Sequence, residues 1–101
     1  MRLKPESARA IHDAAVRHFG ADAEVWLFGS RTDDARRGGD IDLYIEAGAM
    51  DEEKLLKRRL AFLAALYIAL GEQRIDVLVR PRNSRRHLPI HEIAKHEGLR
   101  L

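Results

Sequence analysis

The sequence predicts an α/β (α+β) protein in which short strands alternate with helices. Two observations lead to this prediction. Stretches with apolar residues at three- and four-residue spacing alternate along the chain with short apolar stretches typical of buried strands. The chain has 101 residues, which is enough for one hydrophobic core but too few for two. We therefore expect a single domain that spans residues 1–101.

The first half of the chain predicts two helices and a strand. Residues 5–19 begin with a proline and carry apolar side chains at helical spacing, and Gly20 ends this helix. Residues 24–28 (EVWLF) form a short apolar stretch that favours a buried strand. A short helix is expected after this strand, ended by Gly38 and Gly39.

The second half continues the alternation. Residues 41–46 (IDLYIE) predict a strand, residues 51–70 a long helix that opens with three acids, and residues 74–79 a third strand. Residues 80–86 form an arginine-rich polar loop. Residues 89–97 predict a last short helix that begins at a proline and stops before a glycine.

The composition excludes several kinds of site. The chain has no cysteine, so disulfides, zinc–thiolate sites, iron–sulfur clusters and cysteine nucleophiles are excluded. Its 18 basic and 16 acidic residues leave a net charge of only +2, too weak to indicate nucleic-acid binding. The apolar run 60–70 is too short to span a bilayer, and we expect no secretory signal, because no apolar stretch follows the charged first residues. We expect a cytoplasmic protein that contacts neither membrane nor nucleic acid directly.

Alternation along the strands predicts one apolar and one polar face. The apolar face holds Ile41, Leu43, Ile45, Ile75, Val77 and Val79. Asp40 and Asp42 point to the opposite face of the second strand, as Asp76 does on the third. If the two strands are neighbours in one sheet, the three aspartates share one polar surface.

A cluster of three aspartates favours a metal site. Carboxylates about 5–7 Å apart repel one another by about 2–3 kcal/mol per pair at an effective dielectric constant of about 20. A hard divalent cation offsets this repulsion, and Mg²⁺ binds through one or two carboxylates, water and substrate phosphates. The alternative is that Asp40, Asp42 and Asp76 are solvated residues at strand ends.

The residues after the first strand are suited to phosphate binding. Gly29 allows a phosphate to approach the backbone closely, and Ser30 with Asp33 fits a capping pattern for a helix whose free amides face an anion. Arg31 offers a guanidinium to the same phosphates, although an exposed helix face is the alternative for it. The expected phosphate site therefore adjoins the aspartates.

The segments LFGSR at 27–31, GDIDL at 39–43 and RIDVL at 74–78 resemble the minimal nucleotidyltransferase (MNT) family of the DNA polymerase β superfamily. The resemblance covers about the length of that family's catalytic domain. It implies a small mixed β-sheet with helices packed on one face and an open face that carries the site. Gly39 departs from the family, which often has serine before the first aspartate.

The resemblance also implies a mechanism. A hydroxyl attacks the α-phosphate of ATP in line, with two Mg²⁺ ions at the attacking and leaving oxygens. Asp40 and Asp42 would bind the two ions, and Asp76 would be the third metal carboxylate and the candidate base. Gly29 and Ser30 would hold the triphosphate.

We expect another molecule to supply the acceptor, because 101 residues leave no room for an acceptor-binding domain. The resemblance implies an antitoxin that transfers AMP to a tyrosine of a helical HEPN-type toxin. A wide apolar surface on the helix 51–70 is the candidate docking site, with core packing as the alternative. Its residues are Leu55, Leu56, Leu60, Phe62, Leu63, Leu66, Tyr67, Ile68 and Leu70.

Other interpretations stay open. The chain could be a non-catalytic binding module of the same fold, or an RNA-binding protein that uses the arginines of loop 80–86. His87 and His91 have the four-residue spacing of a helical metal pair, but Pro89 lies between them, so we expect surface histidines. We expect Tyr44 to be partly buried in the sheet rather than stacked on a base.

Overall fold

The computed structural model describes residues 3–28, 40–71, 73–84 and 89–101. In chain order these residues form α1 (Pro5–Phe19), β1 (Glu24–Phe28), β2 (Asp40–Ala47), α2 (Glu52–Leu70), β3 (Arg74–Pro81), α3 (Pro89–Glu97) and β4 (Leu99–Arg100). The predicted α/β fold is therefore confirmed. The short helix expected between β1 and β2 lies outside the described residues.

The four strands form one mixed sheet in the order β3-β2-β1-β4. β1 pairs antiparallel with β2 and with β4, whereas β2 pairs parallel with β3. The expectation that the second and third strands are neighbours is thus confirmed. The sequence did not indicate β4, because two residues are too few to show an alternating pattern.

The main core lies on the face that carries Ile41, Leu43 and Ile45, all fully buried. α1 and α2 pack together over this face. Between them, the rings of Phe19 and Phe62 lie 5.3 Å apart in a tilted arrangement, a favourable geometry for aromatic pairs. The apolar alternation of the strands therefore produces the predicted core face.

The opposite face of the sheet is covered at one end by α3. A second apolar cluster of Trp26, Tyr44 and Ala94 joins β1, β2 and α3 there. An open polar face was expected, and this cluster closes part of it because α3 packs His91 and Ala94 against the sheet. The beginnings of β2 and β3, with Asp42 and Asp76, lie beyond this cluster along the strands.

Local capping sets the limits of α2. The Oδ1 atom of Asp51 accepts a hydrogen bond of 2.8 Å from the backbone N–H of Lys54, which is typical of a helix N-cap. The helix therefore begins at Glu52, one residue later than predicted. Gly71 ends it with a φ of 81°, a conformation that glycine adopts without steric cost.

Arg82 follows β3 and holds the ends of several elements together. Its Nη2 atom donates to the backbone oxygen of Asp22 at 2.9 Å and to Oε1 of Glu24 at 2.8 Å. The same atom donates a longer hydrogen bond, of 3.4 Å, to the backbone oxygen of Glu46. One arginine of the predicted polar loop is therefore a structural residue, because a guanidinium can serve several acceptors at once.

Candidate active site

Asp42 and Asp76 lie side by side on the sheet. They are register partners in the parallel pair of β2 and β3, so their Cα atoms are about 4.8 Å apart and their side chains share one face. Asp42 is half-buried and Asp76 is exposed. The fold thus brings together two carboxylates that are 34 positions apart in the sequence, and leaves one of them open to a ligand.

The other predicted site residues begin β2 or directly follow β1. Asp40 begins β2 opposite Arg74, but its side chain lies outside the described part of the structure. The predicted nucleotide-binding residues Gly29, Ser30 and Arg31 also lie outside the described residues. They directly follow β1, whose last residue, Phe28, is the register partner of Asp42, so the chain enters this segment beside the aspartates.

Two adjacent carboxylates fit a divalent cation. Carboxylate oxygens are the hard ligands that Mg²⁺ prefers, and Mg²⁺ needs only one or two of them when water and phosphate oxygens complete its shell. The side chains that the structure describes include no group of three or more histidine, cysteine, aspartate or glutamate residues able to hold a metal ion. The pair of Asp42 and Asp76 matches the number of carboxylates that Mg²⁺ needs when phosphate oxygens and water supply the other ligands.

A stack of three rings lies farther along the same face. The ring of Tyr44 lies 5.5 Å from that of Trp26 and 5.3 Å from that of His91, nearly parallel to both. Tyr44 is fully buried and His91 is only 4% exposed. The expectation of a surface histidine at position 91 was wrong: His91 stands three residues before the buried Ala94 on α3, a spacing that places both against the sheet.

The hydroxyl of Tyr44 is held by a buried carboxylate. It donates a hydrogen bond of 2.7 Å to Oε2 of Glu46, and Nζ of Lys95 lies 3.4 Å from the same oxygen. Burial raises the pKa of Tyr44 well above its usual value, and the hydrogen bond to Glu46 adds to this effect. Tyr44 therefore stays protonated and is a structural residue of this face.

The pKa of Glu46 moves in the opposite direction. Burial alone would raise it, but the hydrogen bond from Tyr44 and the positive charges of Lys95 and Arg80 outweigh burial and lower the pKa. Glu46 is therefore a charged, paired group at neutral pH. It follows Asp42 by four residues on the same strand face and fixes the packing next to the candidate site.

The predicted apolar surface of α2 is divided between core and solvent. Phe62 and Leu66 are buried in the main core, and Leu55, Leu63 and Leu70 pack partly against it. Four residues stay exposed: Leu56 by 55%, Leu60 by 56%, Tyr67 by 44% and Ile68 by 86%. Core packing thus explains only one side of the helix, and we call these four exposed residues the α2 patch.

A family model described as Nucleotidyltransferase domain matches residues 9–97. The chain belongs to this nucleotidyltransferase family. The match spans all three aspartates and the segment after β1. Domains of this family generally use a nucleoside triphosphate and divalent metal ions, which agrees with the paired carboxylates of Asp42 and Asp76. No curated protein matches the chain.

Among the described side chains of this nucleotidyltransferase domain, the carboxylate of Asp76 is exposed near the start of β3. Nucleotidyl transfer requires an accessible place where triphosphate, metal and acceptor meet, and Asp76 is exposed there.

Across the described residues, none of the helices is both long and apolar enough to cross a membrane.

Proposed function

We propose that this nucleotidyltransferase domain transfers AMP from ATP to a hydroxyl acceptor, in an Mg²⁺-dependent reaction. The register pairing of Asp42 with Asp76 is the observation that carries the proposal. It gives two adjacent carboxylates on an accessible sheet face, next to the point where β1 leads into Gly29 and Ser30. Asp40, at the start of β2, is the third carboxylate of the proposed set.

The proposed residues have distinct roles. Gly29, Ser30 and Arg31 bind the triphosphate through backbone amides and a guanidinium. Asp40 and Asp42, with Asp76, hold two Mg²⁺ ions, which neutralise phosphate charge when bound. A cytoplasmic location, where ATP and Mg²⁺ are abundant, is part of the proposal.

The chemical step is a displacement at phosphorus. The acceptor oxygen forms a bond to the α-phosphorus while the bond from that phosphorus to the bridging oxygen breaks and pyrophosphate leaves. Asp76 accepts the proton of the attacking hydroxyl, because its carboxylate is exposed and lies beside Asp42. The product is a phosphodiester between AMP and the acceptor.

We propose a tyrosine of a helical HEPN-type toxin as the acceptor, which makes this domain the antitoxin of a toxin–antitoxin pair. The α2 patch supports a helical partner. Leu56, Leu60 and Tyr67 are exposed and lie at successive spacings of four and seven residues on α2. This spacing forms the seam by which helices pack on one another.

A non-catalytic binding module is the second candidate function. The observation that favours it is the position of the α2 patch: α2 packs on the core face of the sheet, opposite the face of Asp42 and Asp76. A partner seated on α2 alone would be bound without a residue near the aspartates. In that case complex formation would require neither ATP nor Mg²⁺.

One experiment separates the two functions. The domain is incubated with ATP, Mg²⁺ and the product of the neighbouring gene, and the intact mass of both chains is measured. Transfer predicts a partner that gains the mass of one AMP, only when Mg²⁺ is present. An unmodified partner in a stable complex with the wild-type domain would support the binding module instead.

A further inference from the structure

A groove of about 680 Å³ opens along the carboxyl-terminal half of β3. Its wall on the sheet begins at Leu78 and continues to Arg80, while Leu55 of α2 and His91 of α3 line other sides. This volume is within the range of ligand-binding clefts. Because α2 and α3 pack on opposite faces of the sheet, the groove passes around the β3 edge from one face to the other.

The groove adjoins the proposed reaction centre. Leu78 is two residues from Asp76 on β3, so their Cα atoms are about 7 Å apart and their side chains share a face. A ligand at the Leu78 end of the groove is therefore within reach of Asp76 through one extended side chain.

The strand order indicates which reactant approaches from this side. β2 lies between β1 and β3. The proposed triphosphate residues follow β1 in the chain, and on the proposed function we therefore expect pyrophosphate to leave on the β1 side of Asp42. In-line displacement places the attacking oxygen opposite the leaving group, and hence on the β3 side, where the groove lies.

We infer that this groove binds a polypeptide segment of the acceptor and thereby brings its hydroxyl to Asp76. The inference rests on the proposed function and names the substrate class of the same site. Leu55 and Leu78 both line the groove, and Leu55 directly precedes Leu56 of the α2 patch, so a partner seated on the patch can extend a segment into the groove.

The lining favours a polypeptide over a nucleic acid. Met50, Leu55 and Leu78 offer apolar contact, whereas Asp51 and Glu52 are exposed carboxylates at the rim. These acids repel the phosphates of RNA and attract lysine or arginine side chains. Arg80 lies in register with Glu46 and donates to the backbone oxygen of Ser84 at 3.4 Å, so its charge is partly offset.

Arg59 directs the segment across the face of β3. Its Nε and Nη2 atoms donate to the backbone oxygen of Val77 at 3.4 and 3.3 Å. This contact covers the outer edge of β3 between the groove and Asp76. A bound segment therefore passes over Leu78, on the same face as the aspartate, instead of adding a strand along the edge.

The first test fills the groove. Short synthetic peptides with one central tyrosine and flanking leucine and lysine residues are incubated with Mg²⁺ and ATP labelled at the α-phosphate. Ser84→Tyr, in the groove lining, should lower peptide labelling at least about tenfold while the dissociation constant of ATP changes less than about twofold. Ser7→Tyr on α1, an equal increase in size away from the groove, should change neither, and thermal melting checks that both variants fold.

The second test reverses charge at the rim. Glu52→Arg should lower labelling of the lysine-containing peptides at least about fivefold relative to neutral peptides. Glu53→Arg is the matched control, because Glu53 is the next residue of the same helical turn and does not line the groove. Equal effects of the two substitutions would contradict a peptide path past Glu52.

The remaining outcomes also decide the inference. Unchanged labelling with Ser84→Tyr, or a parallel loss of ATP affinity, would overturn acceptor binding in the groove. If the wild-type domain binds ATP and releases pyrophosphate but labels none of the peptides, the inference that the acceptor is a polypeptide is wrong. The proposed reaction of the domain with ATP would still be supported. If it does not bind ATP with Mg²⁺, the proposed function itself fails, and the acceptor groove with it.

Discussion

Asp42 and Asp76 lie at the same level of two parallel strands and are each other's register partner. At a strand separation of about 4.8 Å their charges repel when no cation is bound. Since Asp76 is exposed, a cation and a phosphate can approach the pair from solvent. This relationship makes the start of β2 and β3 the place where ligand binding and stability should be coupled.

Asp42→Asn should weaken stabilisation by Mg²⁺ and a non-hydrolysable ATP analogue. Ligands that bind the folded state raise its stability according to their concentration and affinity, and the substitution removes a metal carboxylate with little change in shape. Melting temperatures with and without Mg²⁺ test this, with Asp13→Asn on the exposed surface of α1 as control. An equal increase in Tm for the wild type and Asp42→Asn would argue against Asp42 as a ligand.

Tyr44→Phe should destabilise the fold by about 1–3 kcal/mol, because it removes a buried hydrogen bond to a charged carboxylate. The Glu46 carboxylate then keeps only the positive charges of Lys95, at 3.4 Å, and of Arg80. Denaturant unfolding measures the loss. Tyr67→Phe, which removes the hydroxyl of an exposed tyrosine on α2, should change stability by less than about 0.5 kcal/mol. Similar effects of both substitutions would show that the Tyr44–Glu46 bond contributes nothing specific.

Stability should fall at acid pH partly through Glu46. Its pKa is lower in the folded protein than its ordinary value of 4.5, so the folded state binds fewer protons than the unfolded state. The contribution of the ionised Glu46 carboxylate to the free energy of unfolding is complete above about pH 4.5 and is lost as pH falls through the folded pKa. Denaturant unfolding between neutral and acid pH should show a shallower decline for Glu46→Gln. Parallel curves would indicate that Glu46 has the same pKa in both states.

Arg82→Lys should cost about 1–2 kcal/mol of unfolding free energy, because an ammonium group cannot reproduce the fork that serves Asp22 and Glu24 together. The side chain is 35% exposed, which limits the effect through solvent screening. The control is Arg9→Lys on the exposed surface of α1, for which no measurable change is expected. A Tm equal to that of the wild type would show that the contacts of Arg82 are replaceable.

Much of the fold can be predicted from this sequence because its strands and helices have distinct periods. The alternation in residues 41–46 and 74–79 separates core residues from aspartates, and parallel pairing then aligns Asp42 with Asp76. Periodicity does not encode strand order. The prediction that the aspartates share one surface therefore required these two strands to be neighbours, and in the structure they are. β4 was missed because Leu99 and Arg100 depend on pairing with β1 for their conformation.

The environment of the candidate site was less predictable. α3 is short, and whether it packs on the sheet or remains at the surface depends on tertiary contacts with Trp26 and Tyr44. His91 was therefore expected at the surface although its ring stacks on Tyr44. The groove beside β3 was also absent from the prediction, because its walls come from segments as distant as Leu55 and His91.

The role of the paired aspartates is best tested by measuring the release of pyrophosphate from ATP in the presence of the acceptor partner, for Asp76→Asn and for the wild type. We expect the wild-type rate to require Mg²⁺, and we expect Asp76→Asn to lower it at least about a hundredfold because the base is lost. Asp13→Asn should retain the wild-type rate, and Asp76→Asn should still bind the partner, because the α2 patch is unchanged. Mg²⁺-dependent release at the wild-type rate by Asp76→Asn would contradict the assignment of the paired aspartates as the reaction centre.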